Sequence, residues 1–73
     1  MDKTIERIKM VMEYYSMDKT MFCDKVGIHT VTLEHIFKGQ QKQLLFVLKC
    51  ITKSCTIINP DWLILGVGKM LRT

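Results

Sequence analysis

The chain has 73 residues, 48% of them apolar, with 11 Lys plus Arg against 7 Asp plus Glu and a formal charge of +4. That length allows one small domain, residues 1–73, and its longest apolar runs (Leu44 to Leu48 is one) fall far short of the roughly 20 residues that cross a membrane. The basic balance leans towards nucleic acid or another polyanion, and an odd set of cysteines with no CxxC pair fits a reducing, cytoplasmic compartment.

The first predicted helix spans Thr4 to Tyr15. Ile5, Ile8, Met12 and Tyr15 share one face with Val11 beside them, Arg7, Lys9 and Glu13 point largely away from it, and Asp2 or Thr4 can cap the start. The second covers Met17 to Val26. Asp18 suits its N-cap, Phe22, Cys23 and Val26 form the buried stripe, and Gly27 suits a left-handed residue at the helix end. The third is "GIHTVTLEHIFKG", with Thr30 to Phe37 helical. Ile28 seals the turn, Leu33, Ile36 and Phe37 face inward, and Gly39 ends the helix after Lys38, where a cation is favoured.

A short polar loop from Gly39 to Lys42 leads to the fourth helix, about Gln43 to Lys53. Its apolar residues cover roughly 200° of the helical wheel, about twice what packing on one side requires. The surplus predicts an interface between two copies, with Phe46, Val47, Cys50 and Ile51 as candidates. The fifth helix opens at Asn59-Pro60, a good N-cap and first helical residue, and stops at Gly66. A flexible tail is expected from about residue 67. "GVGK" (66–69) lacks the remainder of a phosphate-loop pattern and the strand before it.

The second and third segments carry the functional signal. A helix of about eight residues, a glycine turn and a second helix form a helix-turn-helix, with Cys23 small at the crossing and Ile28 and Leu33 apolar to fix the angle. On "ERIKMVMEYYSMDKTMFCDKVGIHTVTLEHIFKG" followed by "INPDWLILGVGKM", the chain resembles the lambda-repressor-like helix-turn-helix family, the xenobiotic-response-element type that includes phage repressors and Cro proteins. The resemblance covers about Ile5 to Met70. It implies an all-α, compact five-helix DNA-binding domain and a bacterial or phage regulator that binds double-stranded DNA as a homodimer.

In that docking mode the second helix of the motif enters the major groove. The resemblance assigns base reading to Thr30, Val31, Glu34 and His35. Thr30 can donate or accept, Val31 can pack on a thymine methyl, Glu34 can accept from a cytosine amino group and His35 can donate to a purine N7. It assigns backbone contact to Lys19, His29, Lys38, Gln40, Gln41 and Lys42, a set that supplies affinity rather than sequence choice.

Two departures count. Gln40 stands where the family commonly has Arg, and Gln43-Leu44 where it has Pro-Ser, so a phosphate-binding charge and a helix cap are lost. Glu34 adds a negative charge towards DNA, so weak or strongly salt-sensitive binding is expected. A protein-interaction module, such as an antitoxin, is the alternative.

No Ser/His/Asp arrangement, acidic pair or cofactor loop suggests an enzyme or a cofactor. His29 and His35, six apart, fall on different sides of a helix, unlike the i, i+4 pair of zinc-binding helices. Cys23 reads as core, Cys50 as core or interface, and Cys55 as an exposed loop thiol.

Overall fold

The fold, described over residues 3–72 in a computed structural model, contains five helices: α1 (Thr4–Tyr14), α2 (Lys19–Val26), α3 (Thr30–Phe37), α4 (Leu44–Ser54) and α5 (Pro60–Leu65). Among the described residues there is no strand, only an isolated antiparallel bridge between Ile58 and Leu71. The expected element order holds.

The helix starts follow local chemistry. The Asp18 carboxylate accepts from the Met21 N–H at 2.9 Å, and the Asn59 side chain accepts from the Asp61 N–H at 3.0 Å. Each satisfies a first-turn donor that has no partner within its helix. Thr4 is the first helical residue rather than the cap, its hydroxyl accepting from Arg7 Nη2 at 3.1 Å; Asp2 lies outside the described residues.

The turns between helices use left-handed residues. The carbonyl of Cys23 accepts from the N–H groups of both Gly27 (2.8 Å) and Ile28 (3.0 Å), with Gly27 at φ 80°. At the end of α1 the same job falls to a serine. Ser16 sits at φ 55°, its N–H on the Glu13 carbonyl at 2.9 Å and the next N–H, of Met17, on the Met12 carbonyl at 3.0 Å.

Phe22, Leu33, Ile36, Ile8, Val11, Ile51 and Leu63 are at most 1% exposed and meet in one core with Val47, Leu48 and Ile58. Each side chain of that size contributes about 1.5–3 kcal/mol by leaving water. The wide apolar arc of α4 has its cause here, because α4 packs against both α2 and α5. Val47 and Ile51, expected at an interface between copies, are therefore core residues at 0% exposure. Leu45 and Phe46 are left outside at 61% and 55%, with Cys50 half-buried.

Two further expectations are corrected. Cys55 is fully buried rather than an exposed thiol, because the turn after α4 folds inward on Cys55 and Ile58. Nor is the chain after Gly66 a free tail. The Asn59 N–H donates to the Met70 carbonyl at 2.8 Å, the Arg72 N–H to the Ile57 carbonyl at 2.9 Å, and Met70 and Leu71 pack on the core.

Arg7 also has a tertiary role. Its Nε donates to the Leu63 carbonyl at 2.9 Å and its Nη2 to the Ile64 carbonyl at 3.3 Å, so a cation on α1 caps the C-terminal end of α5. Gly66 makes room for it, since a Cβ there would lie 3.1 Å from Arg7 Nη1.

Gly27→Ala meets no neighbouring atom and pays only for the left-handed backbone, so it should lower unfolding free energy by about 1 kcal/mol. Ser16→Gly relieves the same strain at α1 and should raise it by about 0.5 kcal/mol, once the greater freedom of unfolded glycine is subtracted. Urea titration followed by Trp62 fluorescence measures both.

A pH dependence follows from the thiols. Burial raises Cys23 and Cys55 above their ordinary 9.0, and burial, followed by the influence of Cys55, raises Tyr15. Each group ionises earlier in the unfolded chain, so its contribution is complete below the unfolded value and is lost as pH rises past it. The urea midpoint should hold through neutral pH and fall above about pH 9, with a shallower fall in Cys55→Ala.

Candidate nucleic-acid interface

The short turn at Gly27 and Ile28 sets α3 across α2. Leu33 (0% exposed) and Ile36 (1%) anchor the inner side of α3, and Phe37 is half-buried beneath Lys9, whose Nζ lies 5.1 Å from the ring centroid. Such a contact contributes about 0.5–1 kcal/mol at an exposed site. With the inner side fixed, the spacing of a helix leaves Thr30, Val31, Glu34 and His35 outside. Val31, Glu34 and His35 are exposed and Thr30 is half-buried.

These four residues fall into two rows with different surroundings. Glu34 faces α2, where its Oε2 lies 3.8 Å from Lys19 Nζ, both side chains about half exposed. This joins a residue expected to read bases to one expected to contact the backbone. An exposed ion pair of this kind contributes at most about 1 kcal/mol. Its electrical effect is more local: it lies near buried Cys23, whose thiol is raised by burial and further by Glu34, while Lys19 opposes the rise.

Val31 and His35 turn the other way. They line a cleft of about 260 Å³ with Thr32, Ile36, Gln40, Lys42 and Gln43, between α3 and the loop that follows it. The loop returns because the Gly39 N–H donates to the Ile36 carbonyl and the Gln40 N–H to the His35 carbonyl, each at 3.0 Å. The Leu44 N–H then donates to the Gln41 carbonyl at 3.2 Å, closing a second tight turn. The structure thus brings Gln40 and Lys42 to the Val31 and His35 row, and Lys19 to Glu34.

His29, Lys38 and Gln41 are exposed beside these rows without lining the cleft. His29 is the N-cap residue of α3 by position, and its side chain makes no capping hydrogen bond. Gln43 likewise leaves the start of α4 without a side-chain cap, as the loss of the Pro-Ser pair predicts. Lys38 and Lys42 form no ion pair among the described residues.

Thr32 and Gln43 line the cleft although neither was expected among the site residues. Thr32 was detectable, being next to Val31 and one turn before Ile36. Gln43 was not, because its position depends on two successive loop turns.

Among the described residues no three His, Cys, Asp or Glu side chains gather as a metal site, and no helix is long and apolar enough to cross a membrane. A scan against protein-family models and searches of curated proteins and solved structures find no match to this chain.

Proposed function

We propose that the protein is a sequence-specific DNA-binding transcriptional regulator. On this reading α2, the Gly27 turn and α3 are a helix-turn-helix of the lambda-repressor-like kind, and α3 is the recognition helix. The observation that carries it is the outer face of α3: Thr30, Val31, Glu34 and His35 stand clear of the core, with Lys38 and Lys42 unpaired beside them among the described residues. An exposed helix of this size fits the major groove, and flanking cations supply the sequence-independent part of the affinity. The formal charge of +4 is in keeping.

The Lys19–Glu34 pair bears on the expected weakness of binding. Glu34 meets DNA with its charge already offset by a neighbour, so the repulsion it brings is smaller than the sequence suggests. The same pairing takes a cation from the phosphate-binding set, which leaves affinity to rest mainly on Lys38 and Lys42.

The test is duplex binding across a salt series, starting from a pooled random library. Log affinity should fall with log salt at a slope of about −0.9 per phosphate contact. Thr30→Ala and His35→Ala should change which sequences are selected, whereas Lys42→Ala should weaken binding to all of them and reduce the slope by about one contact. Absence of binding at low salt overturns the reading.

The second reading, a protein-interaction module such as an antitoxin, is favoured by a separate observation. Leu45 and Phe46 on α4, and Leu65 on α5, are each more than half exposed. Within the regulator reading we assign the α4 residues to a homodimer, whose two recognition helices would stand about one DNA turn, roughly 34 Å, apart. Phe46→Glu should then give a folded monomer in analytical ultracentrifugation and weaken operator binding at least tenfold, because each half-site must bind alone. Val47→Glu, in the core, should instead unfold the chain. A wild-type chain that stays monomeric with and without DNA removes the homodimer.

A further inference from the structure

The polar side chains that line the cleft between α3 and the following loop include His35, Gln40, Lys42 and Gln43, and among the described residues no carboxylate joins them. Glu34, the acid next to His35 in sequence, pairs with Lys19 instead. The four polar side chains make no hydrogen bond or ion pair with any described residue. Lysine carries three donors and no acceptor, each glutamine amide carries two donors, and an imidazole has at least one. Val31 and Ile36 bring apolar carbon to the same cleft, and Val31 is 56% exposed. The volume is about 260 Å³. Clefts that bury a drug-sized ligand run from about 300 to 1,000 Å³, so an occupant here is smaller.

We propose that this cleft binds a small organic anion, a carboxylate on an apolar body, and that the bound anion displaces DNA. The site stands on the chemistry of the cleft alone; the displacement rests on the DNA reading. A carboxylate only accepts, which matches a lining that offers a cation and several free donors and no competing acid. An inorganic ion would set its hydration shell against Val31 and Ile36, whereas an apolar body covers them.

The lining links this ligand to DNA. Val31 and His35 are two of the four base-reading candidates, and Gln40 and Lys42 belong to the backbone set. A ligand and a duplex cannot both occupy these four side chains, so the anion acts as an effector that lowers DNA affinity without a change of fold. DNA lowers the affinity for the anion by the same factor.

The experiment uses the full chain and three probes of one shape and different charge: benzoate, neutral benzamide and cationic benzamidinium. Backbone amide shifts in NMR titrations, at constant pH and ionic strength, read both the site and the affinity. Benzoate should saturate with a Kd on the order of 1 mM, its shifts centred on Val31, His35, Gln40 and Lys42. Benzamide should bind about fivefold more weakly, the difference that one exposed ion pair makes, and benzamidinium more weakly still. In Lys42→Gln, whose folding circular dichroism checks, benzoate should fall to the level of benzamide, and Val31→Ala should weaken both alike. Benzoate binding that does not saturate, that centres elsewhere, or that keeps its margin over benzamide in Lys42→Gln overturns the site. For a duplex selected from a random library, benzoate at about ten times its Kd should weaken binding at least about tenfold relative to sodium chloride of the same ionic strength. Duplex binding that is indifferent to bound benzoate overturns the displacement. If benzoate binds and no duplex is selected, the DNA reading and the displacement fall together and the anion site stands.

Discussion

The carbonyl oxygen of Cys23 holds the α2–α3 pair together. It accepts the N–H groups of Gly27 and Ile28, and so brings the chain out of α2 and into α3 within three residues. Cys23 itself is small and buried, so the second helix crosses close to the first. Leu33 and Ile36 then fall into the core, and the rows Thr30/Glu34 and Val31/His35 fall outside. A bulkier side chain at position 23 would push α3 outward and turn both rows, even though it touches neither. The geometry of the outer face is thus set by residues that would never meet a partner.

Away from this turn, the cations divide by what holds them. Arg7 is committed to the carbonyls that end α5, Lys9 to the ring of Phe37, Lys25 to the ring of Tyr15 at 4.9 Å, and Lys19 to Glu34. These contacts stabilise the fold by small amounts each, and only at Lys19 is the cation's charge offset by an acid. Lys38 and Lys42, beside the exposed face of α3, form no ion pair among the described residues.

Much of this was readable from the sequence, and the reason is locality. Asp18 and Asn59 cap helices two or three residues away, and Gly27 and Gly39 reverse the chain where they stand. The inward positions of α2 and α3 follow from helical spacing alone. What escaped depends on contacts across the chain. The Arg7 clasp joins α1 to α5 over more than fifty residues. The pinning of Met70 and Leu71, and the burial of Cys55, depend on the same distant packing. Val47 and Ile51 were misassigned for a related reason. A broad apolar arc means contact on two sides, and sequence does not say whether the second contact is another helix of the same chain or another molecule. Of the expected site, the outward direction of the four α3 residues and their two rows were legible from helical spacing, but what each row faces was not, because Lys19 and the loop from Gly39 to Gln43 set it.

That division constrains how one short helix can serve two ends. A helix of eight residues offers about two turns, and both outward rows face the same groove if it docks on DNA. If both rows were charged, affinity would come at the expense of discrimination, since phosphates attract cations whatever the base. If both were apolar, the helix would be an aggregation surface. Here one row ends in a carboxylate whose charge is offset within the molecule, and the other in a valine set against donors and a cation. The two rows rest on different neighbours, Glu34 on α2 through Lys19 and Val31 with His35 on the loop after α3, so one row can change by mutation without disturbing the other.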